Sequence, residues 1–252
     1  FDHSQGLFRH TTRDRWQTPL EANAFAVLYG FLDGPDADNC LDILAVRNHV
    51  PWGSLSSDRK FPGLFNDWHN AKVIPCLVAF EVAALMKRMR FDEALALTRN
   101  CWMNMLDQDP HTTFWEWTAD EGKPGTSFMS RCHPWSADIL QFLTEGLSGI
   151  TPVSPGYTSF NIDASFSFES EEIKHAEFSI PTPYGNIDAG WIRKGNRIEY
   201  QAEYPSGLDP IINMCEGIDI ANSIGGKRNR KKSRNGISMD IHLKSNKRRK
   251  KQ

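Results

Sequence analysis

The chain has 252 residues, 40% of them hydrophobic and 24% charged, with a formal net charge of −2. That balance is close to the globular average and allows one large domain or two modest ones, each with a substantial core. No apolar run reaches the ~20 residues that span a bilayer, and the five scattered cysteines form no Cys-x-x-Cys pair, which argues against a zinc site or a disulfide framework.

Charge is unevenly placed. Residues 227–252 hold 12 Lys/Arg against the single acid Asp240, so the remainder is strongly acidic. No Asn-x-Ser/Thr sequon occurs, which disfavours a glycosylated secreted product, and the compartment stays open.

In chain order, the first half reads as helices. Thr18-Pro19-Leu20-Glu21 has the form of a capping box with Pro at the first helical position, and Leu20, Ala24, Val27, Leu28, Phe31 and Leu32 follow at helical spacing up to a stop at Gly34-Pro35. Asp38 to Val50 is a weaker helical pattern. Lys72 to Arg90 is apolar nearly all round and reads as an inner, buried helix with Pro75 in its first turn. Asp92 is placed to cap a helix over 93–106, and Ser136 one over 137–147 with Gly149 just past its end. Amphipathic helices around one that is apolar all round suggest inner and outer layers, as in a toroid of helix pairs.

After Pro155-Gly156 the period changes from 3.6 to 2. Phe160, Ile162, Ala164, Phe166 and Phe168 alternate with polar residues; residues 173–180 form a second strand pattern, and residues 187–193 and 197–203 flank a hairpin turn at Lys194-Gly195-Asn196. The fold class expected is α+β and multidomain, a partial (α/α)6 toroid followed by a small antiparallel β-sandwich. The expected divisions are 1–153 for the helical part, 154–215 for the β-domain and 216–252 for a disordered basic tail.

The chemistry concentrates between His111 and Ser136. Glu116 stands between Trp115 and Trp117, a partly desolvated carboxylate suited to acid or base work. Cys132-His133-Pro134-Trp135-Ser136 places an imidazole beside a stiff Pro, just ahead of a helix, where it can bind a hydroxyl. Trp115, Trp135 and Trp52 each read as a sugar-stacking platform or as core. Asp67, Asp120 and Glu121 read as solvated loop carboxylates. Metal ligation at His133 is disfavoured because no second His lies at ligand spacing, and no Gly-rich phosphate loop or nucleophile elbow is found.

Four pieces in order resemble glycoside hydrolase family 78, the α-L-rhamnosidases, in its C-terminal part. They are the Thr-Pro-Leu-Glu-Ala-Asn-Ala segment from Thr18, then Thr112-Thr113-Phe114-Trp115-Glu116, then Ser130 to Ser136 with the stretches Phe142–Gly146, Gly149–Pro152 and Pro155–Tyr157 after it, and finally Ile180-Pro-Thr-Pro-Tyr-Gly185. Together they span about residues 16–204. The resemblance implies the end of an (α/α)6 barrel and a C-terminal β-sandwich. It also implies inverting hydrolysis of terminal α-L-rhamnosides, with Glu116 as general base and His133 as a sugar contact; Trp115 and Trp135 are read beside them as substrate-binding residues. The implied partner is a rhamnose-containing glycoside or oligosaccharide; no cofactor, membrane or nucleic acid is called for.

Two departures stand out. The family's general acid lies in an upstream Asp-x-x-x-Arg-x-Glu-x-x-x-Trp-x-x-Asp motif that is not found here, and Asp14-Arg15-Trp16 does not fit its spacing. Trp117-Thr118 stands where the family often shows Arg-Trp. About five helices are read where six pairs are needed, so the chain is expected to be the base-bearing part of a longer enzyme. The alternative is a catalytically inactive carbohydrate-binding or regulatory relative.

Overall fold

The computed structural model describes residues 1–13, 17–58, 72–125, 129–163, 165, 172–213, 218–225 and 234–243. Asp14–Trp16, Asp67, Ala164, Phe166, Phe168 and Cys215 therefore lie outside the described residues. Packing divides the chain into two compact units, Phe1–Phe142 and Leu143–Gln252.

The first unit is built on helices α1 (Leu20–Leu28), α2 (Gly34–Arg47), α3 (Pro75–Lys87), α4 (Phe91–Thr98) and α5 (Asn104–Gln108), with a short hairpin of β1 (His49–Val50) and β2 (Gly53–Ser54). A further helix, α6 (Asp138–Ser148), follows and crosses the boundary between the units. As its sequence implies, α3 is the inner element: ten of its thirteen residues are buried, and Pro75 starts it, where a missing N–H costs nothing. A π-helical turn at Arg99–Met103 joins α4 to α5, so the pattern expected over 93–106 is one interrupted helix.

Helix starts differ from expectation. At α1 the N-cap is Pro19, with no side-chain cap; the Thr18 hydroxyl instead donates to Asp58 Oδ2 at 3.1 Å, and the Thr18 N–H to Oδ1 at 2.7 Å. A long-range carboxylate has outcompeted the local capping box. Gly34-Pro35 opens α2 rather than merely closing α1, because Asp33 accepts the Gly34 N–H at 2.7 Å and Pro35 has the φ a first turn requires.

The second unit contains two sheets. One orders its strands β5 (His175–Ile180), β6 (Ile187–Lys194), β7 (Arg197–Pro205), β10 (Arg234–Leu243) and β9 (Ile218–Gly225), all antiparallel. The other pairs β3 (Ile150–Pro152) with β4 (Ser159–Ile162) antiparallel, and β4 with β8 (Asp209–Ile212) parallel. The hairpin expected at 194–197 forms there, with Gly195 at φ 63° in a two-residue loop. Phe160 of β4 packs edge-on against Tyr204 of β7 at 5.6 Å, so the two sheets share a core.

The span expected to be a disordered tail contains two strands. β10 pairs with β7 along its length, and its Ile237, Met239 and Ile241 are buried. Those three alternate with polar residues, a period-2 signal embedded between two Lys/Arg runs and masked by them. The architecture is thus mixed helix and mainly antiparallel sheet.

Candidate active site

The segment around Glu116 is held from two sides. On one side, the Glu116 N–H donates to the Ser130 carbonyl at 2.9 Å, and the His133 N–H donates to the Phe114 carbonyl at 2.9 Å. On the other side, the Thr118 N–H donates to the Val73 carbonyl at 2.9 Å, tying the segment to the residue two places before α3. Two irregular loops thereby acquire fixed geometry, with backbone polar groups satisfied by each other and by Val73 ahead of α3.

Glu116 is half-buried, and its Oε2 accepts the Ser130 N–H at 3.0 Å. That contact orients the carboxylate while leaving it acceptor capacity for a water proton. It also lies within electrostatic reach of the first turn of α3. The Cys76 thiol there is pushed up by burial first, then by the charge of Asp138, with Glu116 adding to it. Asp138 itself is pushed up by burial.

His133 forms the N-cap of a 3-10 turn, Pro134–Ala137, without a side-chain cap bond. Its ring meets that of Trp135 edge-on, 5.9 Å between centroids. Trp135 is 69% exposed, an apolar face turned to solvent beside an imidazole. The backbone pairing therefore brings Glu116, His133 and Trp135 into one neighbourhood.

Trp115 does not join them. Its side chain is fully buried, and its Nε1–H donates to Asp109 Oδ2 at 2.9 Å. An indole with no exposed face cannot stack on a sugar, so the expectation for Trp115 is corrected: it is the anchor under Glu116, not a platform. Ser136 also departs from expectation. It does not cap α6; its hydroxyl donates to the Trp115 carbonyl at 2.6 Å, and its own carbonyl accepts the Trp102 indole N–H at 2.8 Å.

The neighbouring indoles, half-buried, each pack against a glycine. Trp117 lies under the Lys72 ammonium, 3.4 Å from ring centroid to Nζ, and packs so tightly on Gly125 that a Cβ there would meet the ring at 2.5 Å. Trp52 is packed against Gly122. Glu121 is an exposed loop carboxylate paired with Lys123 at 2.7 Å.

Asp109 was not legible as part of this region. It is 5% exposed and organises the turn that precedes Glu116. The available sign was Asp109-Pro-His-Thr-Thr, an Asp whose side chain can bond the backbone two residues on.

Residues 149–212 match the family described as the bacterial α-L-rhamnosidase C-terminal domain. A curated α-L-rhamnosidase of Alteromonas sp. (strain LOR) is 26% identical over 110 residues, 42% of this chain and 12% of that protein. Among solved structures, the family 78 rhamnosidase of Bacillus sp. GL1 superposes with a TM-score of 0.61 at 20% identity, covering 86% of this chain and 21% of that one. The Streptomyces avermitilis α-L-rhamnosidase complexed with L-rhamnose gives 0.56 at 13% identity, covering 89% and 21%. The chain thus spans about an eighth of the curated relative and a fifth of these structures. Motif order, family match and fold agree that this chain resembles the C-terminal part of the α-L-rhamnosidases of glycoside hydrolase family 78.

Proposed function

We propose that this chain carries the water-activating half of an inverting α-L-rhamnosidase site, with Glu116 as the general base. The observation that carries the reading is the pairing of 114–116 with 130–133, which fixes the Glu116 carboxylate and gathers His133 and Trp135 near it. In inverting hydrolysis a carboxylate takes a proton from water as the water attacks the anomeric carbon. A carboxylic acid ~6.5–9.5 Å away protonates the leaving oxygen. Glu116 supplies the first role; none of the described carboxylates is proposed for the second. His133 binds a sugar hydroxyl, and Trp135 offers a flat apolar face to the ring.

L-rhamnose is bound by one structural neighbour, and a terminal α-L-rhamnoside is the substrate we carry over to this chain. In finer detail, the helices of the first unit form the end of an (α/α)6 barrel, and the two sheets of the second unit, from β3 through β10, a β-sandwich. The likeness to α-L-rhamnosidases favours hydrolysis over an inactive binding relative.

The test is Glu116→Gln in the full-length protein, assayed on a nitrophenyl α-L-rhamnoside. Turnover should fall at least ~100-fold, the scale of a lost general base, with substrate binding retained. Near-normal turnover would remove Glu116 from this role.

A further inference from the structure

Asp109 follows α5 and grips most of the turn that leads to Glu116. Its Oδ1 accepts the His111 N–H at 2.8 Å; its Oδ2 accepts the Thr113 hydroxyl at 2.6 Å and the Trp115 indole N–H at 2.9 Å. Its backbone carbonyl accepts the Thr112 N–H at 2.9 Å. One residue therefore holds positions 111, 112, 113 and 115 at once. The turn it holds is strained, because Thr112 sits at φ 52°, a left-handed conformation that a β-branched residue disfavours.

The Thr113 hydroxyl first, then the Trp115 and His111 N–H groups, hold the Asp109 carboxyl down at about 2. It stays an acceptor-only carboxylate at any ordinary pH. From Trp115 the connection continues: its carbonyl accepts the Ser136 hydroxyl, and the Ser136 N–H donates to the His133 carbonyl at 3.0 Å. Trp115 thus links Asp109, through its indole, to Ser136 and His133, through its backbone carbonyl.

We propose that Asp109 is a positioning residue: it sets the backbone of 111–115, and through it the pose of Glu116, without touching substrate. The proposal rests on Glu116 being the general base. Glu116 is the residue after the anchored indole, so a shift at Trp115 moves the carboxylate directly. Misplacing a reacting group by about 1 Å costs up to ~100-fold in rate.

The experiment is a cycle of Asp109→Asn and Glu116→Gln in the full-length protein, with kcat and KM measured on a nitrophenyl α-L-rhamnoside. An Asn offers one acceptor oxygen, so its NH2 must face either the His111 N–H or the Thr113 and Trp115 donors. Expected is a ~10- to 100-fold loss of kcat with little change in KM, and no further loss when Asp109→Asn is added to Glu116→Gln. The near-isosteric Thr113→Val, which removes one of the three donors, should lower kcat in the same manner by a smaller factor; it carries the test if Asp109→Asn fails to fold. If Asp109→Asn and Thr113→Val keep wild-type kcat while Glu116→Gln is inactive, the positioning role is overturned and the base remains. An equal loss with or without Glu116 also overturns it, since that is what a general scaffold defect does. Near-normal activity of Glu116→Gln overturns both.

Discussion

Replacing His49 by Leu isolates the most consequential polar contact of the first unit. Glu81, in the middle of the buried face of α3, is 1% exposed, and His49 Nε2 meets its Oε1 at 2.9 Å from β1, with 29% of the ring side chain exposed. Among the described residues Glu81 Oε2 has no hydrogen-bond partner, so His49 is the described group that compensates this carboxylate. Breaking a buried pair by removing one member costs ~3–5 kcal/mol, because a charge is left uncompensated. The lower end applies here, since the partly exposed imidazole is screened by solvent. About 3 kcal/mol corresponds to a fall in Tm of ~6–12 °C for a unit of this size.

The effect should also depend on pH, in a stated direction. Burial opposes a charge on His49, but the hydrogen bond and charge of Glu81, with Glu93 adding, outweigh it, so the folded-state pKa is raised above the ordinary 6.5. A raised pKa means that the stabilisation is fully present below about 6.5 and is lost as pH rises through the folded value. Thermal or urea unfolding of parent and His49→Leu, followed by circular dichroism at pH 6 and pH 9, should show a gap that narrows at the higher pH. Replacing both partners with Leu should recover much of the loss, because the buried charge then disappears with its partner. A gap below ~1 kcal/mol, or one that does not change with pH, would refute the reasoning.

Two further expectations concern the site and the second unit. Trp135→Ala should raise KM for a rhamnoside up to ~10-fold, the scale of one lost aromatic contact, with kcat and Tm unchanged because the ring is mostly exposed; a drop in Tm would show that it packs instead. Truncation after Gly226 removes β10 and the buried Ile237, Met239 and Ile241, each worth ~1.5–3 kcal/mol of burial. A marked fall in Tm is expected; an unchanged Tm would restore the reading of this span as a solvated tail.

Local pattern was legible where the period itself carried the information. Residues 75–87 could not hide ten buried positions among thirteen, and Gly195 between two alternating runs could only close a hairpin. The motif around Glu116 and His133 was visible as residue types in order. Their proximity was not, because it comes from backbone hydrogen bonds between 114–116 and 130–133, and backbone groups have no sequence signature.

Side-chain roles that depend on long-range partners were the ones read differently. Thr18 looked like a cap until Asp58, forty residues on, took its hydroxyl. Ser136 looked like a cap until the Trp115 carbonyl claimed it. Three indoles cluster around one carboxylate in the sequence, and composition cannot rank them. Burial does: Trp115 is enclosed and hydrogen-bonded to Asp109, whereas Trp135 faces solvent. The sequence by itself determined which residue types stand around Glu116 and in what order. Only tertiary structure decided which of them can reach a sugar, because exposure and hydrogen-bond partnership are properties of the packed chain and not of any segment of it.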